Sequence, residues 1–276
     1  MAAGVIMTTS SRRRWWRSRW VWGSALAGVA ALAALAALRV FDDGMGGAPP
    51  NYRARNAALR LAPLRFYRAE HPTALVWFFG NDVGFWGAQQ RLARSLSERG
   101  YDVVGMDIRT WFAQRPPETV ADRAAVLRIA LRNLQLVAAR ELGDTTLPLV
   151  LAGHSLGAEL ALWQAATGNP RKLAGVVAIS PGARSHLRVT ALDLANKEPS
   201  EPGSFAVDSM VRAVPPGVRV AIVRGSGDPL QGADVALVLA RPDLHRVVIP
   251  LAGHSMRHLL IAGPMIAHAI DWAAGR

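Results

Sequence analysis

One pentapeptide, Gly153-His154-Ser155-Leu156-Gly157, constrains the fold of this chain more than any other feature. It follows an apolar run, Leu147 to Ala152, and opens a helix-forming one, Ala158 to Ala166. Between strand and helix, G-x-S-x-G is the setting of a nucleophile elbow, a turn tight enough to strain the serine backbone. The serine hydroxyl then stands out at the carboxyl end of a sheet, beside a helix amino terminus. Glycine is needed two residues before and two after, because a side chain there collides with the strand and helix that the turn brings together. The competing reading is an ordinary strand-to-helix turn, and the rest of the chain has to separate the two.

A serine hydroxyl becomes a useful nucleophile only when a base takes its proton, so an elbow predicts an acid and then a histidine further along. Val218 to Arg224 reads as a buried strand, followed by Gly225-Ser226-Gly227-Asp228-Pro229. A carboxylate just past a strand end reaches back over the sheet. His245 to Pro250 reads as a short last strand, followed by Leu251-Ala252-Gly253-His254-Ser255. In this order Asp228 orients the ring, His254 moves the proton and Ser155 carries the acyl group. Turn chemistry alone is the other reading of Asp228, and a plain loop residue the other reading of His254. His154 is expected to pack, and His258, one helical turn past His254, is a candidate pocket residue.

Acyl transfer also needs hydrogen-bond donors aimed at the developing oxyanion. The backbone N–H of Leu156 comes with the elbow. The second donor is expected from the loop Gly80-Asn81-Asp82-Val83-Gly84-Phe85-Trp86, which follows the strand Ala74 to Phe79. The N–H of Asn81 is chosen, against a plain Gly-Asn-Asp turn. Asp82 and Trp86 are taken as further pocket residues. Asp82 and Glu159 can meet an ammonium, although solvated or capping roles compete.

Strands are predicted near 64–68, 74–79, 103–106, 149–152, 176–179, 218–224 and 246–249, and helices near 86–99, 120–141, 158–166, 233–239 and 256–273. Short apolar strands alternating with helices imply an α/β fold, a mainly parallel sheet covered on both faces. Residues 42–60 read as linker and 61–276 as the folded domain. The breaker-rich stretch 181–216 reads either as a small lid over the site or as a long surface connection.

The amino terminus addresses location. Arg12, Arg13, Arg14, Arg17 and Arg19 precede Val21 to Leu38, 18 residues without a charge. Trp15, Trp16, Trp20 and Trp22 sit at the junction, where indoles favour a membrane interface. Residues 1–19 are therefore expected to be a cytoplasmic tail and 20–41 a signal segment or single transmembrane anchor, with the remainder across the inner membrane in the periplasm. Cleavage near Ala34-Leu35-Ala36, releasing a soluble periplasmic protein, is the alternative.

Charge is consistent with a membrane partner and not with nucleic acid. The net +12 includes six arginines before Asp42; the remaining 26 basic residues face 20 acidic ones in mixed order, with no stripe interleaved with aromatics. Attraction to an anionic membrane surface fits this distribution better. The chain has no cysteine, which excludes disulfides, a thiol nucleophile and thiolate metal sites. No histidine and carboxylate cluster has metal-ligand spacing, so neither metal nor cofactor is expected.

The elbow with Asp228 and His254 resembles the α/β-hydrolase superfamily over residues 61–276, which implies an eight-stranded type of sheet and hydrolysis through an acyl-enzyme. Val103-Val104-Gly105-Met106-Asp107 with Trp111-Phe112, then Arg115-Pro116-Pro117-Glu118, then the elbow Gly153 to Glu159, resemble the VirJ/AcvB bacterial virulence-protein family. That resemblance implies an exported hydrolase that removes aminoacyl groups from aminoacyl-phosphatidylglycerol. Two stretches differ from the family pattern, Gly80 to Trp86 and Ala252 to Met256, and both border the site. Three functions are thus carried forward: a membrane-anchored periplasmic serine hydrolase on carboxylic esters, an esterase, lipase or thioesterase on a soluble substrate, and a non-catalytic interaction protein.

Overall fold

The computed structural model describes residues 47–114, 120–194, 197–255 and 259–276, together with Ala30. The chain divides into two units, Met1–Asp42 and Asp43–Arg276, and the described residues other than Ala30 belong to the second. Apart from Ala30, the expected tail and membrane segment lie outside the described residues. Among the described residues no helix is long and apolar enough to cross a membrane.

Seven strands form the main sheet: β1 (Leu64–Tyr67), β2 (Ala74–Phe79), β3 (Tyr101–Met106), β4 (Leu149–His154), β5 (Leu173–Ile179), β8 (Arg219–Gly225) and β9 (His245–Ile249). Their order is β1-β3-β2-β4-β5-β8-β9, with β1 antiparallel and the others parallel. Every residue of β2, β3 and β4 is buried, as continuous apolar runs such as Ala74-Leu75-Val76-Trp77-Phe78-Phe79 require when helices cover both faces. Each large side chain so buried contributes about 1.5–3 kcal/mol. The resemblance implied an eight-stranded type of sheet. Among the described residues the main sheet has seven strands, and β1 closes its edge.

Helices α2 (Gly87–Glu98) and α9 (Leu259–Ala274) cover one face; α4 (Val120–Leu142), α5 (Leu156–Thr167), α7 (Val207–Ala213) and α8 (Asp234–Ala240) contribute to the core on the other. Helix α5 is buried along nearly its whole length, from Leu156 to Ala165, because it lies between the sheet and α7. Its polar residues must therefore find partners inside. Gln164 exchanges two hydrogen bonds with Gln135 of α4, at 3.1 and 2.7 Å, and Glu159 accepts the Gly182 N–H at 2.7 Å.

Four short helices lie outside the predicted ones: α1 (Ala57–Leu61), α3 (Ile108–Ala113), α6 (Ala191–Leu194) and α7. The first two begin at side-chain caps, since Asn56 accepts the Ala58 N–H and Asp107 accepts the Thr110 N–H. Part of the expected linker is also structured. Tyr52 pairs with Phe66 and donates its hydroxyl to Glu141 at 2.8 Å, while the Asn51 side chain bonds the Arg68 backbone. Polar partners near the ends of β1 and α4 recruit this stretch, which composition alone marks as a breaker.

Strand order positions the site. After β3 the chain crosses to the other side of β2, so the switch point lies between β2 and β4, where ligands of open α/β sheets bind at the carboxyl ends. Gly80 follows β2 and Ser155 follows β4. Segment 181–216 leaves from the end of β5 and forms a two-stranded ribbon, β6 (Arg184–Ser185) with β7 (Phe205–Ala206).

Candidate active site

Ser155 has φ 54° and ψ −124°, a conformation that L-residues rarely adopt. Its N–H donates to the Ile179 carbonyl at 2.9 Å, and its own carbonyl accepts from Ala158 and Glu159 as α5 begins. The flanking glycines are required by backbone, not by side chains. A Cβ on Gly153 lies 2.1 Å from the Gly157 carbonyl oxygen, and one on Gly157 lies 2.0 Å from the Gly80 carbonyl oxygen. The second contact joins the elbow to the neighbouring β2 loop.

His254 Nε2 lies 3.0 Å from Ser155 Oγ, and His254 Nδ1 lies 3.2 and 3.3 Å from the two Asp228 oxygens. Residues 99 and 26 positions from His254 in sequence thus form one relay in the predicted order. Asp228 is fully buried. It also accepts the Leu230 N–H at 2.9 Å and a guanidinium N–H of Arg224 at 3.0 Å. Burial pushes its carboxyl up, yet the hydrogen bond and charge of His254, the Leu230 N–H and the Ser180 hydroxyl outweigh this and hold it below the usual carboxylate range. Asp228 therefore stays ionised and acceptor-only, which holds the Nδ1 proton on His254 and leaves Nε2 for the serine.

Several supporting residues escaped sequence reading. His154, expected only to pack, is buried and places Nε2 2.9 Å from the His254 carbonyl oxygen, with the Gln89 amide 3.4 Å from its Nδ1. It thereby holds the loop that carries the base. His186 lies between Glu201 at Nδ1 and Asp193 at Nε2, and Arg188 also reaches Glu201 at 2.7 Å. Burial pushes the His186 ring down, but the two carboxylates prevail and raise it overall. No motif announces these groups, since all four belong to an irregular segment.

The oxyanion loop requires a correction. Gly84, at φ +120°, turns the chain back so that Asn81 and Gly84 exchange N–H to carbonyl bonds of 3.1 Å. The Asn81 N–H is therefore committed within its own turn and does not face Ser155. Asp82, the next residue, lines an open cleft of about 480 Å³, its solvent-filled mouth included, with Ser155, Leu156, Glu159 and residues of segment 181–216. Trp86 does not line this cavity: its indole covers Gly84, and it is 48 % exposed. His258 lies outside the described residues.

Burial raises the carboxyls of both Asp82 and Glu159, the latter to about 7. Glu159 was expected to be solvated or capping, but its helix is buried and it holds the Gly182 backbone against the elbow. The folded protein thus retains a proton that the unfolded chain releases near pH 4.5. The stability this confers is full below about pH 4.5 and is lost as pH rises through about 7. Glu159→Gln keeps the acceptor and removes the titration. Its denaturation midpoint is expected to flatten between pH 5 and 8, where the wild type loses about 1–3 kcal/mol from this group. An identical pH slope in both proteins counts against the assignment.

Comparison with known proteins agrees with this geometry. No curated protein matches the chain by sequence. A putative dienelactone hydrolase from Klebsiella pneumoniae is similar at TM-score 0.58 and 16 % identity, covering 78 % of this chain and 93 % of its own. The esterase domain of a Rhodothermus marinus protein is similar at TM-score 0.54 and 18 % identity, covering 77 % and 92 %. Est1E from Butyrivibrio proteoclasticus is similar at TM-score 0.54 and 15 % identity, covering 77 % and 94 %. At such identities the likeness shows the fold, which is that of the α/β-hydrolases. The family profile described as "Serine aminopeptidase, S33" matches residues 71–215, over half of the chain and including the elbow. Asp228 and His254 lie beyond that match, and the geometry alone joins them to Ser155. The chain is an α/β-hydrolase of the serine hydrolase type and belongs to the serine aminopeptidase S33 family.

Proposed function

We propose that this protein is a membrane-tethered, extracytoplasmic serine hydrolase that cleaves carboxylic esters through an acyl-enzyme on Ser155, with aminoacyl esters of an anionic phospholipid as its substrate class. The observation that carries the catalytic part is the unbroken relay of Ser155, His254 and Asp228 at the carboxyl ends of three parallel strands. His254 Nε2 takes the Ser155 proton as Oγ attacks the carbonyl carbon. The alkoxide that develops is met by the N–H of Leu156, which the elbow turns toward it. His254 returns the proton to the leaving alcohol, and water repeats the steps to release the acid.

Two features support the substrate class. The cavity beside Ser155 carries Asp82, Glu159, Asp193 and Glu198. Asp193 is engaged with His186 and burial pushes Glu159 up to about 7, so Asp82 and Glu198, beside the Arg184 and Lys197 cations that line the same cavity, are the carboxyls left to face an acyl ammonium. The arginine and tryptophan start, with the uncharged stretch Val21–Leu38, supports a tether beside lipid, and the resemblance to VirJ/AcvB proteins supports the aminoacyl lipid. The family's own description favours a second reading, cleavage of an aminoacyl amide, and the likeness to esterase and thioesterase domains a third, a soluble ester.

Segment 181–216 acts in this reading as the substrate-covering wall. His186→Ala removes the ring that bridges Asp193 and Glu201 and loosens the wall, so KM for a bulky aminoacyl ester is expected to rise about tenfold, with a smaller change in kcat. An unchanged KM rejects that role.

Three measurements test the whole. Purified protein should label at Ser155 with a fluorophosphonate and hydrolyse an activated aryl ester; failure of both, in folded protein, returns it to a non-catalytic interaction role. Aminoacyl esters against matching anilides separate ester from amide cleavage. Cells lacking the protein should accumulate aminoacyl-phosphatidylglycerol, and unchanged lipid profiles reject the lipid substrate.

A further inference from the structure

Arg224 is 1 % exposed, near the end of β8 and four residues before the triad acid. Burying a guanidinium costs several kcal/mol unless its donors are matched. Here four of its N–H groups find acceptors: Asp228 Oδ2 at 3.0 Å, Asp234 Oδ1 at 3.0 and 2.7 Å, and the Pro181 carbonyl at 2.7 Å. Asp234, itself buried, turns its other oxygen to Arg246 of β9 at 3.2 Å. One side chain therefore touches the acid of the triad, the first turn of α8 and the start of the segment that walls the substrate cavity. The S33 profile ends before this strand, and the proton relay as described does not involve Arg224.

We propose that Arg224 is a positioning residue for the triad, fixing the Asp228 carboxylate beneath His254 and anchoring the cavity wall to it through Pro181. Its charge is shared between Asp228 and Asp234, and this division sets how firmly Asp228 holds the His254 imidazolium. The inference rests on the reading of Ser155, His254 and Asp228 as a catalytic triad.

The physical argument is one of competition. A carboxylate that shares its charge with a guanidinium stabilises an adjacent imidazolium less than an unshared one. Asp228 is faced by Arg224 from its own strand, by the Leu230 N–H, by the Ser180 hydroxyl at the end of β5, and by His254. Behind Arg224 stands Asp234, with Arg246. Around His254 stand the carboxyl groups of Glu159 and Asp82, both pushed up by burial, and the His154 ring at 5.7 Å. Among the described residues only Arg224 bonds both Asp228 and Asp234. Removing its charge strengthens the hold of Asp228 on the imidazolium. Removing the Asp234 charge turns Arg224 more fully onto Asp228 and weakens that hold.

Opposite signs are therefore expected. In Arg224→Met the acidic limb of the kcat/KM profile moves up by about one pH unit, and the plateau falls about 10–100-fold as the acid loses its orientation. In Arg224→Lys the limb returns toward the wild-type position while the plateau stays low, because an ammonium restores charge without the fork. In Asp234→Asn the limb moves down.

The same shifts are read without substrate from the His254 ring titration by NMR in the full-length protein, with His254→Ala assigning the signal. If wild-type protein hydrolyses nothing and Ser155 resists the probe, the functional reading fails, while the NMR titration still reports on Arg224. If Arg224→Met does not fold, Asp234→Asn carries the test alone. A His254 titration that stays put in every folded variant, or moves the same way in Arg224→Met and Asp234→Asn, overturns the proposal.

Discussion

Ser155→Ala is expected to lower kcat on an activated ester by up to about 10⁶-fold while leaving the fold and the melting temperature close to wild type. The residue is a nucleophile whose hydroxyl makes one side-chain hydrogen bond among the described residues, to His254 Nε2, so its loss removes chemistry and little packing. His254→Ala should cost nearly as much, because the members of the relay act as a unit and their effects do not add. Asp228→Asn should cost about 10⁴-fold, since an amide supports the wrong ring tautomer. A steady-state assay with fluorophosphonate labelling checks all three. A His254→Ala protein that keeps most of its activity would place the base elsewhere.

The second large effect is expected at Gly157. A methyl there is driven to 2.0 Å from the Gly80 carbonyl oxygen and 2.6 Å from that of Phe79, both backbone atoms that no rotamer change can move. Strand β2 and the amino terminus of α5 must then part. Gly157→Ala should cost about 3 kcal/mol or more in stability. It should also lose about 10²–10³-fold in kcat, because the amino terminus of α5 that carries the Leu156 N–H is displaced from the serine. Thermal unfolding and kinetics on the surviving folded fraction separate the two losses. Wild-type melting would show that β2 and the elbow are not in this contact.

These expectations differ in how far the sequence could reach them. The elbow was legible because its chemistry is local: strand, tight turn and helix follow one another within about twenty residues, and the glycines are demanded by atoms nearby. The strand cores were legible for a similar reason, since residues buried on both faces leave a continuous apolar run. Asp228 and His254 could be named because each follows a strand and chain order limits the choice. Trp86 could not be placed because the pattern shows a loop after a strand but not the fold of that loop. A positive φ at Gly84 turns the loop back on itself, closes Asn81 into its own turn and leaves the Trp86 indole over Gly84. Residues 42–60 read as linker because glycines and prolines before Asn51 mark a break, whereas the order of the stretch after it comes from partners as distant as Glu141.

The sequence by itself determined the class of sheet, the nucleophile and the order of its partners, because these depend on neighbours along the chain. Only the tertiary structure decided that Glu159 is buried with its carboxyl pushed up, and that His154, His186 and Arg224 support the site. Each of those outcomes depends on burial or on a partner between 4 and 100 residues away, and such contacts leave no periodicity in the sequence to be read.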